Sequence, residues 1–87
     1  MKRTRLIIVD DEPDARERLV ELAAQDAALE VVTTCRNGNE AVLAILKHKP
    51  DLVLLDVQMP QMNGFEVVRR VGADRMPPTI FATAYDH

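Results

Sequence analysis

Asp10 and Asp11 follow the apolar run Leu6-Ile7-Ile8-Val9, and Asp56 follows the run Leu52-Val53-Leu54-Leu55. Carboxylates gathered at one place repel each other by roughly a few kcal/mol per close pair at an effective dielectric near 20. A chain has little reason to gather them unless a cation sits between. Magnesium suits such a set, because it takes hard oxygen ligands, keeps several waters and needs only two or three carboxylate oxygens plus a backbone carbonyl. A carboxylate at the tip of a buried strand, close to such an ion, can also attack phosphorus and form an aspartyl phosphate. The ion neutralises the charge that develops between carboxylate and phosphoryl oxygens.

That chemistry requires two strands to end side by side. A run of four branched apolar residues bounded by polar ones marks a strand buried on both faces of a parallel sheet. Ligands of open α/β sheets bind outside the carboxyl ends of the strands, where these acids stand. The rest of the chain alternates strand and helix patterns. Leu6–Asp10 is the first strand; Asp11 caps and Pro13 opens a helix with Ala15, Leu19, Leu22 and Ala23 at a 3.6-residue period. Leu29–Thr34 is a second, β-branched strand near an edge. Asn37-Gly38 opens a helix with Ala41, Val42, Ile45 and Leu46 on one side and Lys47, His48 and Lys49 in the last turn, stopped by Pro50. Leu52–Asp56 is the third strand. After a loop containing Pro60, Asn63-Gly64 begins a helix with Phe65, Val68 and Val71 inward, and Thr79–Thr83 is a fourth strand. This βαβαβαβ order predicts a parallel sheet with right-handed crossovers.

Bulk properties narrow the function. The 87 residues make one domain, with a net charge of −3 and a single cysteine. A domain this small buries only about 60–65% of its unfolded surface. No basic stripe is available to follow a nucleic-acid backbone. Cys35 has no disulfide partner, which fits a reducing cytoplasm. The basic start is followed by only four apolar residues before acids intervene, so neither a signal peptide nor a membrane span is expected. Glu12 reads as a first-turn helix acid, Pro60 and Gly64 as loop-shaping residues, and Cys35 as a core residue. His48 and His87 have no partner at a catalytic or metal-binding spacing. Met59 and Met62 fit either gap-filling or a partner surface.

In combination, Ile8-Val9-Asp10-Asp11-Glu12-Pro13, Leu55-Asp56-Val57-Gln58-Met59-Pro60, Asn63-Gly64 and Thr79-Ile80-Phe81-Ala82-Thr83-Ala84 resemble the receiver domain of two-component response regulators over nearly the whole chain. The resemblance implies a flavodoxin-like, doubly wound sheet; receiver sheets run 2-1-3-4-5, so the order 2-1-3-4 is expected here. It implies that Asp56 accepts a phosphoryl group from a sensor histidine kinase, and that Asp10, Asp11, Asp56 and the backbone carbonyl of Gln58 hold Mg2+. It also implies that the Thr83 hydroxyl contacts the phosphoryl group, with the small Ala84 leaving room for it. Ala82-Thr83-Ala84-Tyr85-Asp86-His87 and Ala15-Arg16-Glu17-Arg18-Leu19 are similar to receivers that precede LytTR-type DNA-binding domains, so a transcriptional effector is expected downstream, with no DNA contact by this segment.

One departure matters. A receiver carries a lysine at the end of a fifth strand, and an aromatic switch residue on that strand. The only lysines here are Lys2, Lys47 and Lys49, none of which falls at the carboxyl end of the sheet. The expectation is a receiver truncated after its fourth strand, lacking the last two helices and the fifth strand, weak in phosphotransfer, and hiding its open surface in a homodimer by edge pairing or element exchange. A non-phosphorylated dimerisation module is the main alternative reading. A haloacid-dehalogenase-like phosphatase would want a second acid where Gln58 stands. A flavodoxin-like cofactor binder would want a neutral loop where Asp10-Asp11-Glu12 stands. The chain is expected to be a phosphoacceptor and not an enzyme.

Overall fold

The computed structural model describes residues 2–82. Four strands and three helices alternate: β1 (Thr4–Val9), α1 (Pro13–Ala24), β2 (Leu29–Cys35), α2 (Gly38–His48), β3 (Leu52–Asp56), α3 (Gly64–Val71) and β4 (Thr79–Ala82). All pairings are parallel and the order is β2-β1-β3-β4, the order expected from the receiver resemblance. β2 lies at an edge. Thr83, the last residue expected in the fourth strand, lies outside the described residues, as does Ala84.

Side chains alternate across a strand, so each central apolar run serves two cores. Ile7 and Val9 of β1 and Val53 and Leu55 of β3 pack with Ala41 and Ile45 of α2 and Val67 and Val71 of α3. Leu6 and Ile8 face the other way, onto Ala23, Leu19 and Val20 of α1, together with Leu52 and Leu54. Burial on both faces is why these runs lack polar alternation. The register Val9↔Leu55 then places the next residues, Asp10 and Asp56, side by side at the carboxyl ends.

The helix starts are fixed locally. The Asn37 side chain accepts a hydrogen bond from the Glu40 N–H (2.9 Å) at the start of α2. At α3, Asn63 and Glu66 form a reciprocal capping box: the Asn63 side chain accepts from the Glu66 N–H (2.9 Å), and Glu66 Oε1 accepts from the Asn63 N–H (3.2 Å). α2 ends at Lys49, whose φ of 47° is left-handed, and Pro50 follows.

Three expectations are corrected. Asp11 does not cap α1: Glu12 occupies the N-cap position without a side-chain cap, and the turn is closed instead by Asp10 Oδ1, which accepts from the Glu12 N–H (2.9 Å). In α3 the inward stripe is Gly64, Val67 and Val71, with Val68 beside it; Phe65 is 54% exposed. The capping box sets the helix rotation, and Phe65 falls a quarter-turn from the stripe, where its ring meets Phe81 at 5.0 Å between centroids. Leu22 and Leu46 also lie on exposed flanks. Met59 and Met62 are buried in the core with α2 and α3, which selects gap-filling over a partner surface.

Candidate metal and phosphoacceptor site

Asp10, at the end of β1, and Asp56, the last residue of β3, are both buried; Asp11 is exposed at the rim. One carboxylate oxygen from each of the three lies within 4.8 Å of the others. They line a cleft of ≈ 490 Å³ together with Gln58, Ala82 and Arg18. Sheet register places Asp10 beside Asp56, and adjacency in sequence adds Asp11.

The local backbone holds both buried carboxylates. Asp10 Oδ1 accepts from the Glu12 N–H, and Asp56 Oδ1 accepts from the Gln58 N–H (3.1 Å). Each therefore spends one oxygen on orientation and keeps another for the cleft. Among the described residues the one ion pair is Arg36–Glu40 (2.8 Å), far from this cluster in kind and exposure. Burial pushes the Asp56 carboxyl up to about 6; the Gln58 N–H opposes that shift, while Asp10 and Asp11 reinforce it. Three oxygen donors, two of them buried and none neutralised by a basic side chain, fit a small hard divalent cation.

The β3–α3 loop is pressed against this cluster. A Cβ on Gly64 would stand 2.7 Å from the Asp56 carbonyl oxygen and 3.2 Å from Val57 Cα, and the Gly64 N–H donates to the Val57 carbonyl (3.0 Å). Only glycine lets α3 begin this close to the strand end. The loop also contains Gln61 at φ 71°. Met62 packs onto Gly38 so closely that a Cβ there would lie 2.7 Å from its side chain.

The cluster thus contains Asp10, Asp11, Asp56 and, on the cleft wall, Gln58, as the sequence suggests; Thr83 lies outside the described residues. The structure adds Arg16, to which the sequence assigns no site role. Its Nη1 donates to the Asp10 carbonyl (2.8 Å). The available signal was a cation in the first turn of a helix, where the dipole disfavours it. Cys35 is buried, and burial pushes its thiol up to about 11, so it behaves as a core residue and not a nucleophile.

Residues 6–87 match the model of the response regulator receiver domain. The chain belongs to this receiver family. An uncharacterised response regulatory protein of Yersinia pestis is 46% identical over 82 residues, spanning 94% of this chain and 34% of that protein. The transcriptional regulatory protein BtsR of Salmonella typhi is 42% identical over 82 residues, spanning 94% and 34%. The structure of the signal receiver domain of the putative response regulator NarL from Mycobacterium tuberculosis superposes with a TM-score of 0.89 at 31% identity, covering all of this chain and 71% of that one. The receiver spans about a third of the length of the curated relatives it matches. Among the described residues no helix is long and apolar enough to cross a membrane.

Proposed function

We propose that this receiver accepts a phosphoryl group on Asp56 from the phosphohistidine of a sensor kinase, with Mg2+ held by Asp10, Asp11, Asp56 and the backbone carbonyl of Gln58. The observation that carries the reading is the approach of three carboxylates to within 4.8 Å with no ion-pair partner among the described residues, at the carboxyl ends of two buried strands. A carboxylate oxygen of Asp56 attacks phosphorus, the P–N bond breaks, and its electron pair leaves with the imidazole. Bound Mg2+ supplies charge neutralisation between the carboxylate and phosphoryl oxygens. The chain's own part is orientation: the Gln58 N–H fixes one Asp56 oxygen, and Gly64 lets the supporting loop sit against the strand end. Thr83 is proposed as the hydroxyl that contacts the transferred group.

The chain is in this reading a phosphoacceptor and not an enzyme, works in the cytoplasm, and controls a transcriptional output domain of the LytTR type. Its similarity to a transcriptional regulatory protein, a third of whose length it spans, supports a transcriptional output; the LytTR type rests on the sequence resemblance alone. The second reading is a dimerisation module that needs no phosphorylation. Phe65, Ile80 and Phe81, which are 54%, 53% and 40% exposed, favour it, and a homodimer is compatible with both readings.

Acetyl phosphate labelling with Mg2+, followed by intact-mass spectrometry, tests the proposal. An adduct of one phosphoryl group on the wild-type chain, absent in Asp56→Asn, is the expected result. The yield is expected to be low, since no lysine stands at the carboxyl end of the sheet among the described residues. Equal labelling of the two chains would reject Asp56 as the acceptor, and no labelling of either, even at saturating acetyl phosphate, would favour the dimerisation reading.

A further inference from the structure

Asp10 is held by its main chain as well as by its carboxylate. The Asp10 N–H donates to the Cys35 carbonyl of the neighbouring strand (3.1 Å). Its carbonyl, which accepts from no backbone N–H outside the regular elements among the described residues, accepts from Arg16 Nη1 at 2.8 Å. The Arg16 backbone N–H donates to the Glu12 carbonyl at 2.9 Å. One residue therefore grips the Asp10–Glu12 turn twice, through main chain and side chain, and that turn carries two of the three clustered acids.

Three observations separate this contact from ordinary surface decoration. Arg16 is half-buried in the first turn of α1, where a cation opposes the helix dipole, so its position is not explained by helix stability. Its positive charge reaches Cys35 and Glu40, at the end of β2 and in the first turn of α2. And among the described residues its side chain bonds to a carbonyl and to no carboxylate, so the clustered acids stay free for a metal while their backbone is fixed.

We infer that Arg16 is a positioning residue for the divalent-cation site, holding the β1–α1 turn so that Asp10 and Asp11 face Asp56. The inference rests on the metal reading above. Its energetic source is one charge-assisted hydrogen bond to a carbonyl left without a ladder partner. Without that bond the turn explores other conformations, and the ion must select the competent one, which lowers its apparent affinity.

Arg16→Met tests this, because the thioether side chain preserves the apolar stem and removes the donor; Arg16→Lys restores a charged donor without the fork. Mg2+ affinity is measured by calorimetry at a temperature where each chain is fully folded, and hydrogen exchange of the Glu12 amide is followed by NMR without Mg2+. The expected result is a five- to tenfold weaker Kd for Arg16→Met, partial recovery in Arg16→Lys, and faster exchange at Glu12 while amides late in α1 keep their protection. An Arg16→Met chain that melts earlier but binds Mg2+ with wild-type affinity would overturn the inference, since Arg16 would then be structural only. Absence of Mg2+ binding by the wild-type chain would overturn the metal reading itself, a different result in a different sample.

Discussion

At the amino ends of the strands, charge is spent on closing the chain. Arg5 Nη1 donates to the carbonyls of His48 (2.9 Å) and Lys49 (3.2 Å), and the Arg5 N–H donates to Asp51 Oδ2 (2.9 Å). Arg3 donates to the carbonyl of Ala27 (3.2 Å). At the carboxyl ends, Asp10, Asp11 and Asp56 share a cleft and form no ion pair among the described residues, and burial holds Asp56 well above the usual carboxylate range. The first end gains stability from its polar groups, whereas the second carries an electrostatic cost that the proposed cation would remove. The same sheet thus separates a stabilising rim from a working rim.

Substitutions at the two ends should accordingly diverge. The largest stability effect is expected from Gly64→Ala at the working rim, where the new methyl meets the Asp56 carbonyl at 2.7 Å and backbone must yield. Urea unfolding should show a loss of about 2 kcal/mol, and Mg2+ affinity should fall with it, because the displaced backbone carries the proposed ligand Asp56. A Gly64→Ala chain with wild-type stability would mean that α3 and the strand end are less tightly apposed than described. A smaller effect, about 1–2 kcal/mol, is expected from Arg5→Met, which uncovers the last carbonyls of α2. Its Mg2+ Kd should match wild type. A shared loss of affinity at this distance would erase the contrast between the rims.

How much of this was legible beforehand depends on the range of each signal. The runs Leu6–Val9 and Leu52–Leu55 announce doubly buried strands through composition alone, and the acids behind them fall at the strand ends without further assumption. Asn63 and Glu66 announce a helix start by their spacing. The rotation of α3 was misread because Phe65 is the largest apolar residue in it, yet the cap and the Val67–Val71 stripe decide which face is buried. The Arg16 contact was invisible for another reason. A side chain reaching back to a carbonyl six residues earlier depends on the angle between strand and helix, which no periodicity encodes. The close approach at Gly64 is similar: the sequence marks a turn, but only the fold shows which atoms a side chain would strike.

The most direct test of the central claim is urea unfolding of the wild-type and Asp56→Asn chains between pH 4 and pH 8, with and without Mg2+. The Asp56 carboxyl stands at about 6 in the folded chain against an ordinary 3.8, so folding favours its protonated form. Its contribution is fully present below the ordinary value and is lost as pH rises through about 6. Without Mg2+, wild type should therefore lose roughly 1–2 kcal/mol relative to Asp56→Asn across that window, once solvent at the cleft mouth is allowed for. With saturating Mg2+ the trend should reverse, the ion stabilising wild type increasingly as its acids ionise. An unfolding curve at pH 7.5 that Mg2+ leaves unmoved would contradict the account.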